Sequence, residues 1–228
     1  MKEITLKIVA IALITFSVIS CSTPNDKTEK EPIVEDAMIT TVSITQPEES
    51  FHNALIAFSN ENNKLCAENI KDGIEFIEEI KMETTDNNQK LLIDKGIKHL
   101  VQLAEDVNNG KINSESTLRT AFQKTNKMLA GNVIIDIETL VEEGFSDNVK
   151  EKTHSLLYYL QQAERNTLRK NKTIYHEVIN DTKGLNEKLK NKSKKELISL
   201  EKNIKSDLHK IKTKLESIDD SLEASDVN

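Results

Sequence analysis

Residues 197–222 read LISLEKNIKSDLHKIKTKLESIDDSL, and this stretch decides the fold because its apolar side chains recur at the period of an α-helix. Seven steps lead from Leu197 to Leu222 over 25 residues, so the average step is about 3.6 residues. Side chains at that period form one straight apolar stripe along a long helix. The stripe has to be covered, by the chain's own core if the helix folds back or by a partner if part of it projects.

Four more segments with helical periodicity precede this helix. The first begins near Pro47 and is weakened or bent at 59–64 and at Gly73, and the fourth breaks or bends near 181–184. Short polar breakers between them make neighbouring helices antiparallel. Six glycines and three prolines in 228 residues disfavour a sheet-rich fold. The sequence therefore predicts an all-α protein, an up-and-down bundle of four helices with a long C-terminal fifth helix.

The first 20 residues have the three parts of an export signal. Lys2 and Lys7 give a net positive start, residues 8–19 are almost entirely apolar, and a small residue precedes Cys21. The apolar run is shorter than the about 20 residues that a transmembrane helix needs. We therefore expect residues 1–20 to be a signal peptide.

The junction Val18-Ile19-Ser20-Cys21 resembles the lipobox of bacterial lipoproteins. The resemblance implies cleavage before Cys21, lipid attachment to Cys21 and a membrane anchor in the cell envelope. Ser22 resembles the sorting pattern for the outer membrane in bacteria that have one. The alternative is an ordinary signal peptide followed by a chance cysteine.

Residues 21–47 contain all three prolines, mixed charges and no sustained apolar period, so we expect a flexible tether. The helical bundle domain then covers residues 48–228. The other cysteine, Cys66, lies between Leu65 and Ala67 in a helical pattern, which indicates a buried apolar residue rather than a reactive thiol.

Charge is distributed unevenly along the bundle domain. Residues 48–110 contain thirteen acids and six lysines, whereas residues 183–214 contain eleven lysines and four acids. The basic C-terminal helix is expected to pack beside the acidic first helices or to present its charges to solvent, with binding to a membrane or a protein partner as the alternative. A net-acidic, exported chain without a recognition motif is not expected to bind nucleic acid.

Two Glu-x-x-His pairs, Glu49/His52 and Glu151/His154, have the spacing found in di-iron bundles. They lie near the starts of the first and fourth helices. In an up-and-down bundle these starts are at opposite ends, tens of ångströms apart at ~1.5 Å per residue, so the pairs cannot converge on one metal. We interpret these acids as groups that complement the helix dipoles.

The remaining histidines do not form a known catalytic pattern. His176 begins like a zinc-protease helix, but residue 180 is an asparagine where the second histidine is required. The sequence therefore predicts no catalytic residue, no metal and no cofactor. A haem held without covalent attachment, by Met128 with His99 or His154, is the open alternative.

The stretches LVQLAEDVNNGKINSESTLRTAFQKTNKMLAGNV (100–133) and HSLLYYLQQAERNTL (154–168) resemble YfdX-like exported helical proteins of bacteria. The resemblance covers roughly residues 89–168, and Asn132 stands where those proteins often have a histidine. It implies a loose connection with envelope stress and no assigned catalysis.

Together these features predict a lipid-anchored protein of the cell envelope that is not an enzyme. Its helical bundle would be a structural or interaction module, with self-association or a protein partner at the C-terminal helix. The alternative is a bundle that binds an apolar ligand or haem in its core.

Overall fold

A computed structural model describes residues 47–144, 148–167 and 171–218. These residues form seven α-helices and no strand, which confirms the all-α prediction. The helices are α1 (Glu48–Ser59), α2 (Asn63–Glu83), α3 (Asn87–Asn108), α4 (Glu115–Glu142), α5 (Asn148–Asn166), α6 (Lys172–Leu189) and α7 (Lys194–Glu216). The predicted signal peptide, Cys21, the predicted tether up to residue 46 and Leu222 lie outside the described residues.

The first predicted helix is two helices, α1 and α2. They are separated within the polar stretch that was expected to bend it. Glu61 has a left-handed backbone with φ of 57°, and the Asn62 side chain accepts a hydrogen bond from the backbone N–H of Leu65. The chain therefore reverses at Glu61 and caps the start of α2 at Asn62.

Gly73, the other suspected weak point, lies inside the continuous α2. A Cβ atom at this position would lie 2.5 Å from Cε1 of Phe51, which belongs to α1. The Phe51 ring is buried and stacks on Phe122 of α4, with ring centroids 4.3 Å apart. Gly73 therefore allows α1 and α2 to approach closely around this aromatic pair.

The periodicity predicts the second helix over about 89–107 and the third from 113 or 114 to 144, and α3 and α4 agree with these bounds to within two residues. Gly110 follows α3 with φ of 68°, the left-handed conformation expected for a glycine after a helix end. Ser114 caps α4, since its hydroxyl accepts a hydrogen bond from the backbone N–H of Ser116 at 3.2 Å.

The fourth predicted helix is also divided, but the predicted position of the break was wrong. The break separates α5 from α6, whereas residues 181–184 lie inside the continuous α6. A Cβ atom at Gly184 would meet no described atom within 4 Å, and α6 continues through this glycine. Leu185 and Leu189 are buried, and this packing holds the helix together across the polar stretch.

α7 folds back along the bundle and packs against α6 and α4. Its apolar stripe is core as far as the structure describes it, with at most 5% of each side chain exposed at Leu197, Ile204, Leu208, Ile211, Leu215 and Ile218. Leu200 is partly buried against the same core. The stripe up to Ile218 therefore leaves no apolar face for a partner, while the exposed Ile198 lies outside it.

The lysines of α7 form ion pairs with acids on α4 and α6. The expectation that the basic helix packs beside the acidic first helices was wrong for these contacts, because α7 packs mainly against α4 and α6. The pairs are Lys205–Glu142, Lys212–Glu138, Lys210–Asp181 and Lys214–Glu177, at 2.8–3.9 Å. These partly exposed pairs orient the helix more than they stabilise it.

α4 is the central helix, since it packs against α1, α3, α5 and α7. It is apolar on several sides and also contains fully buried polar residues such as Gln123 and Asn126. Two depressions of the surface lie along it, one beside α3 and one beside α1 and α5.

Candidate functional site

The structure separates most of the residues that the sequence singled out. Cys21 lies outside the described residues. Cys66 is fully buried, as predicted, and burial raises the pKa of its thiol to about 11. The raised pKa disfavours the thiolate, which is the reactive form of cysteine.

The two Glu-x-x-His pairs occupy different helices. His52 is an exposed residue of α1, and Glu151 and His154 are exposed residues of α5. His176 is exposed on α6, with its Nδ1 3.7 Å from a carboxylate oxygen of Glu164. Among the described residues, no group of three or more histidine, cysteine and acidic side chains could hold a metal ion.

The first depression, called here the α3–α4 groove, has a volume of about 680 Å³. It lies between the C-terminal half of α3, the connection at 109–114 and the N-terminal half of α4. On its closed side the two helices are joined by a hydrogen bond from Nε2 of Gln89 to the backbone oxygen of Asn132 at 3.1 Å. A six-residue connection joins the helices at the other end, and residues 112–114 of this connection line the groove.

The α3–α4 groove has an apolar floor and a polar rim. Leu100, Leu103, Ile112, Ala121 and Met128 supply the floor, whereas hydroxyl and amide side chains of the connection and of α4 supply much of the rim. Pockets of about 300–1,000 Å³ with this division of apolar and polar groups are typical of small-molecule sites.

Asp106, at the rim of the groove, is held by its neighbours. Its Oδ1 accepts hydrogen bonds from Nζ of Lys111 at 2.9 Å and from Nε2 of Gln102 at 3.1 Å. These hydrogen bonds lower the pKa of the Asp106 carboxyl below its usual value. Asp106 therefore stays ionised at neutral pH and is poorly suited to proton transfer.

His99 and Met128, the residues considered for haem, both line the α3–α4 groove. His154, the other histidine considered, does not line it. Met128 lies against Gly96 of α3, where a Cβ atom would be 2.7 Å from its sulfur. The structure thus brings together one of the two ligand combinations that the sequence left open.

The second depression, called here the α1 cleft, has a volume of about 810 Å³ and is lined by α1, α4 and α5. α1 is antiparallel to α4, because Phe51 stacks on Phe122 while the hydroxyl of Ser59 donates to Oε2 of Glu115 at 3.2 Å. The cleft therefore extends along α1, from Glu48 at its start to Ser59 at its end.

Glu48 is the most perturbed carboxyl of the α1 cleft. Burial raises the pKa of Glu48 from 4.5 to about 7, although a hydrogen bond to the Asn126 side chain and the charge of Arg165 act in the opposite direction. The nearby Tyr158 and Tyr159 have raised pKa values, first because they are buried and second because they lie near Glu48. Glu48 thus takes up or loses its proton near neutral pH.

Sequence reasoning missed the α1 cleft. From the sequence, the acids at the start of the first helix were interpreted as groups that complement the helix dipole, and the arginines were given no role. One signal was present in the composition, since only three of the 31 basic residues are arginines. Arg119 and Arg165 both line the α1 cleft, and Arg169 lies outside the described residues.

No helix in the described part of the chain is long and apolar enough to span a membrane. Comparisons of the chain with protein-family models, with curated proteins and with solved structures found no match. The resemblances to lipoproteins and to YfdX-like proteins therefore stay predictions from the sequence.

Proposed function

We propose that this protein is a lipid-anchored, non-catalytic binding protein of the cell envelope that holds a small, largely apolar molecule in the α3–α4 groove. The observation that carries the proposal is the groove itself, whose volume of about 680 Å³ and apolar floor suit such a ligand. This is the alternative function that the sequence left open. The burial of the α7 stripe favours it, because that stripe was the main apolar surface available for self-association.

Several polar side chains of the groove have fixed partners, which suits them to binding rather than to chemistry. The hydroxyls of Ser114 and Ser116 lie 2.6 Å apart and are hydrogen-bonded to each other, and the Thr125 hydroxyl donates to a backbone oxygen of its own helix. Asp106 is held ionised by Lys111. Groups with fixed partners can orient a ligand and are poorly suited to general acid–base catalysis.

The proposed anchor and the proposed bundle complement each other. Lipid at Cys21 would retain the protein at a membrane, outer rather than inner if the bacterium has both, and residues 22–47 would link it to an up-and-down bundle. A flexible chain of that length spans roughly 25–30 Å on average. The groove would then sample ligand close to the membrane surface, where apolar molecules concentrate.

The test fills the groove without changing the rest of α4. Thr120 lines the groove, and Thr139 is an exposed residue of the same helix outside it, so Thr120→Trp and Thr139→Trp are a matched pair. We expect 1-aminoanthracene, an uncharged fluorescent probe, to bind the whole chain carrying Cys21→Ala and its Thr139→Trp derivative. Thr120→Trp should weaken binding at least tenfold. Equal binding by both variants, or no binding by any, would contradict the proposal.

Haem is a second candidate for the same groove, and the specific observation in its favour is that His99 and Met128 both line it. Hemin added to the protein should then give an absorption band in the Soret region that shifts in His99→Ala and in Met128→Leu. His154→Ala is the matched control and should leave the spectrum unchanged. A spectrum that is insensitive to all three changes would exclude ligation by these residues.

A further inference from the structure

The α1 cleft is separate from the α3–α4 groove although α4 contributes a wall to both. The two sets of lining residues share no member. At about 100° per residue, Arg119 of the cleft and Ala121 of the groove point about 160° apart around α4. A ligand in one depression therefore does not occupy the other.

The α1 cleft is lined by two arginines, and each has a hydrogen-bond partner on its own helix. Nε and Nη2 of Arg119 lie 2.7 and 2.6 Å from Oε1 of Glu115, whose other oxygen accepts the Ser59 hydroxyl. Arg165 donates from Nη1 to Oε1 of Gln162 at 3.4 Å. Elsewhere the chain uses lysine for its positive charges almost without exception. Arginine is the residue suited to planar, bidentate recognition of an oxyanion.

The buried end of the cleft lacks a proton donor. Oε1 of Glu48 and Oδ1 of the fully buried Asn126 have no hydrogen-bond partner in the described part of the chain. Protonation would turn one of the Glu48 oxygens from an acceptor into a donor. Arg165, Tyr158 and Tyr159 of α5 lie near Glu48, and Glu83 of α2 acts on Tyr159. The other charged or titratable groups that line the cleft are Glu49 and His52 of α1 and Glu115 and Arg119 of α4.

The cleft also has an apolar wall. Leu55 is buried and Ile56 is 47% exposed, and both lie on α1 facing the cleft. The Tyr158 ring lines the cleft from α5. A ligand that combines an anionic group with an apolar chain would therefore match the arginines and this wall at the same time.

We propose that the α1 cleft binds a small carboxylate with an apolar chain, its carboxylate at the arginines and its chain against Leu55 and Ile56. Binding is linked to proton uptake, because the carboxylate competes with Glu48 for the charge of Arg165. Protonation of Glu48 removes a negative charge that would repel the carboxylate, and the two other acids and two arginines that line the cleft then balance each other. The ligand therefore binds more tightly on the acidic side of neutrality than on the basic side. This inference is independent of the ligand proposed for the α3–α4 groove.

Four probes separate the contributions of charge and chain. Octanoate carries both, 1-octanol lacks the charge, octylamine reverses it, and acetate lacks the chain. Calorimetric titration of the whole chain carrying Cys21→Ala should show octanoate binding most tightly at pH 6 and weakening by pH 8. If 1-octanol or octylamine binds as tightly as octanoate, or if octanoate does not bind at millimolar concentration, the proposal is wrong.

Matched variants locate the bound octanoate. Arg165→Gln should weaken binding about tenfold or more, whereas Lys202→Gln, the same loss of charge at an exposed position of α7, should not. Arg165→Lys should weaken it less than Arg165→Gln, since it keeps the charge. Thr120→Trp, which fills the other groove, should have no effect. If Thr120→Trp abolishes octanoate binding and Arg165→Gln does not, octanoate occupies the groove and the proposal fails.

The pH dependence is tested by Glu48→Gln, which cannot become negative. This variant should bind octanoate equally at pH 6 and pH 8, and about as tightly as the wild type binds at pH 6. His52 lines the same cleft and is titratable, so His52→Asn is the control for a histidine contribution. A pH dependence that persists in Glu48→Gln and disappears in His52→Asn would overturn the linkage to Glu48.

Discussion

Replacing Glu48 by glutamine should stabilise the protein at pH 8 and have little effect at pH 5. Burial raises the pKa of Glu48 from 4.5 to about 7, so the folded protein holds this proton more tightly than the unfolded chain does. Below pH 4.5 the carboxyl is protonated in both states and does not lower the free energy of unfolding. As the pH rises from 4.5 to 7, the unfolded chain releases the proton first, and the folded state loses stability relative to it. Above pH 7 the full cost is present.

The magnitude follows from the two pKa values. At 1.36 kcal/mol per pH unit, a pKa moved from 4.5 to about 7 corresponds to about 3 kcal/mol at pH 8. Glutamine has nearly the shape of a protonated glutamate and cannot become negative, so it avoids this cost at every pH. For a domain of this size the gain corresponds to a melting temperature higher by roughly 6–12 °C.

Urea denaturation at pH 5, 6.5 and 8 measures the difference between the two proteins. Glu49→Gln is the matched control, since Glu49 is the neighbouring acid of the same helical turn and is exposed. The stability difference between Glu48→Gln and the wild type should grow steadily with pH, while the Glu49→Gln protein should follow the wild type. A difference that does not change between pH 5 and pH 8, or one that both variants show, would refute the reasoning.

Three further outcomes are expected. Gly73→Ala should cost about 1–3 kcal/mol, because its Cβ atom would lie 2.5 Å from a stacked ring, whereas Gly184→Ala, with open space around it, should add up to about 1 kcal/mol. A gain in both melting temperatures would contradict this packing. Leu208→Asp, at a fully buried position, should lower the free energy of unfolding by several kcal/mol, while Ile198→Asp, 51% exposed on the same helix, should change it little. Equal melting of these two variants would show that the α7 stripe is not core. Cys21→Ala should release the protein from membranes or leave it uncleaved, and unchanged detergent partitioning with unchanged mature mass would rule out the lipid anchor.

The sequence predicted best the bounds of those helices whose ends are set by nearby residues. α3 and α4 begin at polar caps and end near glycines, and both signals act within a few residues of the helix end. α7 was recognisable because its stripe keeps the helical period over its whole length. None of these features depends on which other part of the chain lies nearby.

The features that the sequence did not predict depend on tertiary packing. The polar residues 181–184 look like a breaker, but α6 continues through them because its later leucines are buried. The partners of the α7 lysines are acids of α4 and α6. The helices against which α7 packs determine these partners, and the net charge of each segment does not. Arg119 and Arg165 both line the α1 cleft, but they are 46 residues apart in the sequence. No local sequence pattern could therefore have predicted that they share a site.

The position of α4 along its own axis determines the shape of both depressions, and buried polar contacts fix that position. Nε2 of Gln123 lies 2.5 Å from the Tyr175 hydroxyl of α6, Gln89 of α3 donates to the backbone oxygen of Asn132, and the Asn126 side chain hydrogen-bonds the first carboxyl of α1. A shift of α4 by one turn, about 5.4 Å, would leave apolar side chains facing the same neighbours. The same shift would separate these polar pairs, and each buried polar group left without a partner costs about 1–3 kcal/mol. Apolar packing therefore decides that α4 is central, while the polar contacts to three different helices select the one register in which the groove and the cleft exist.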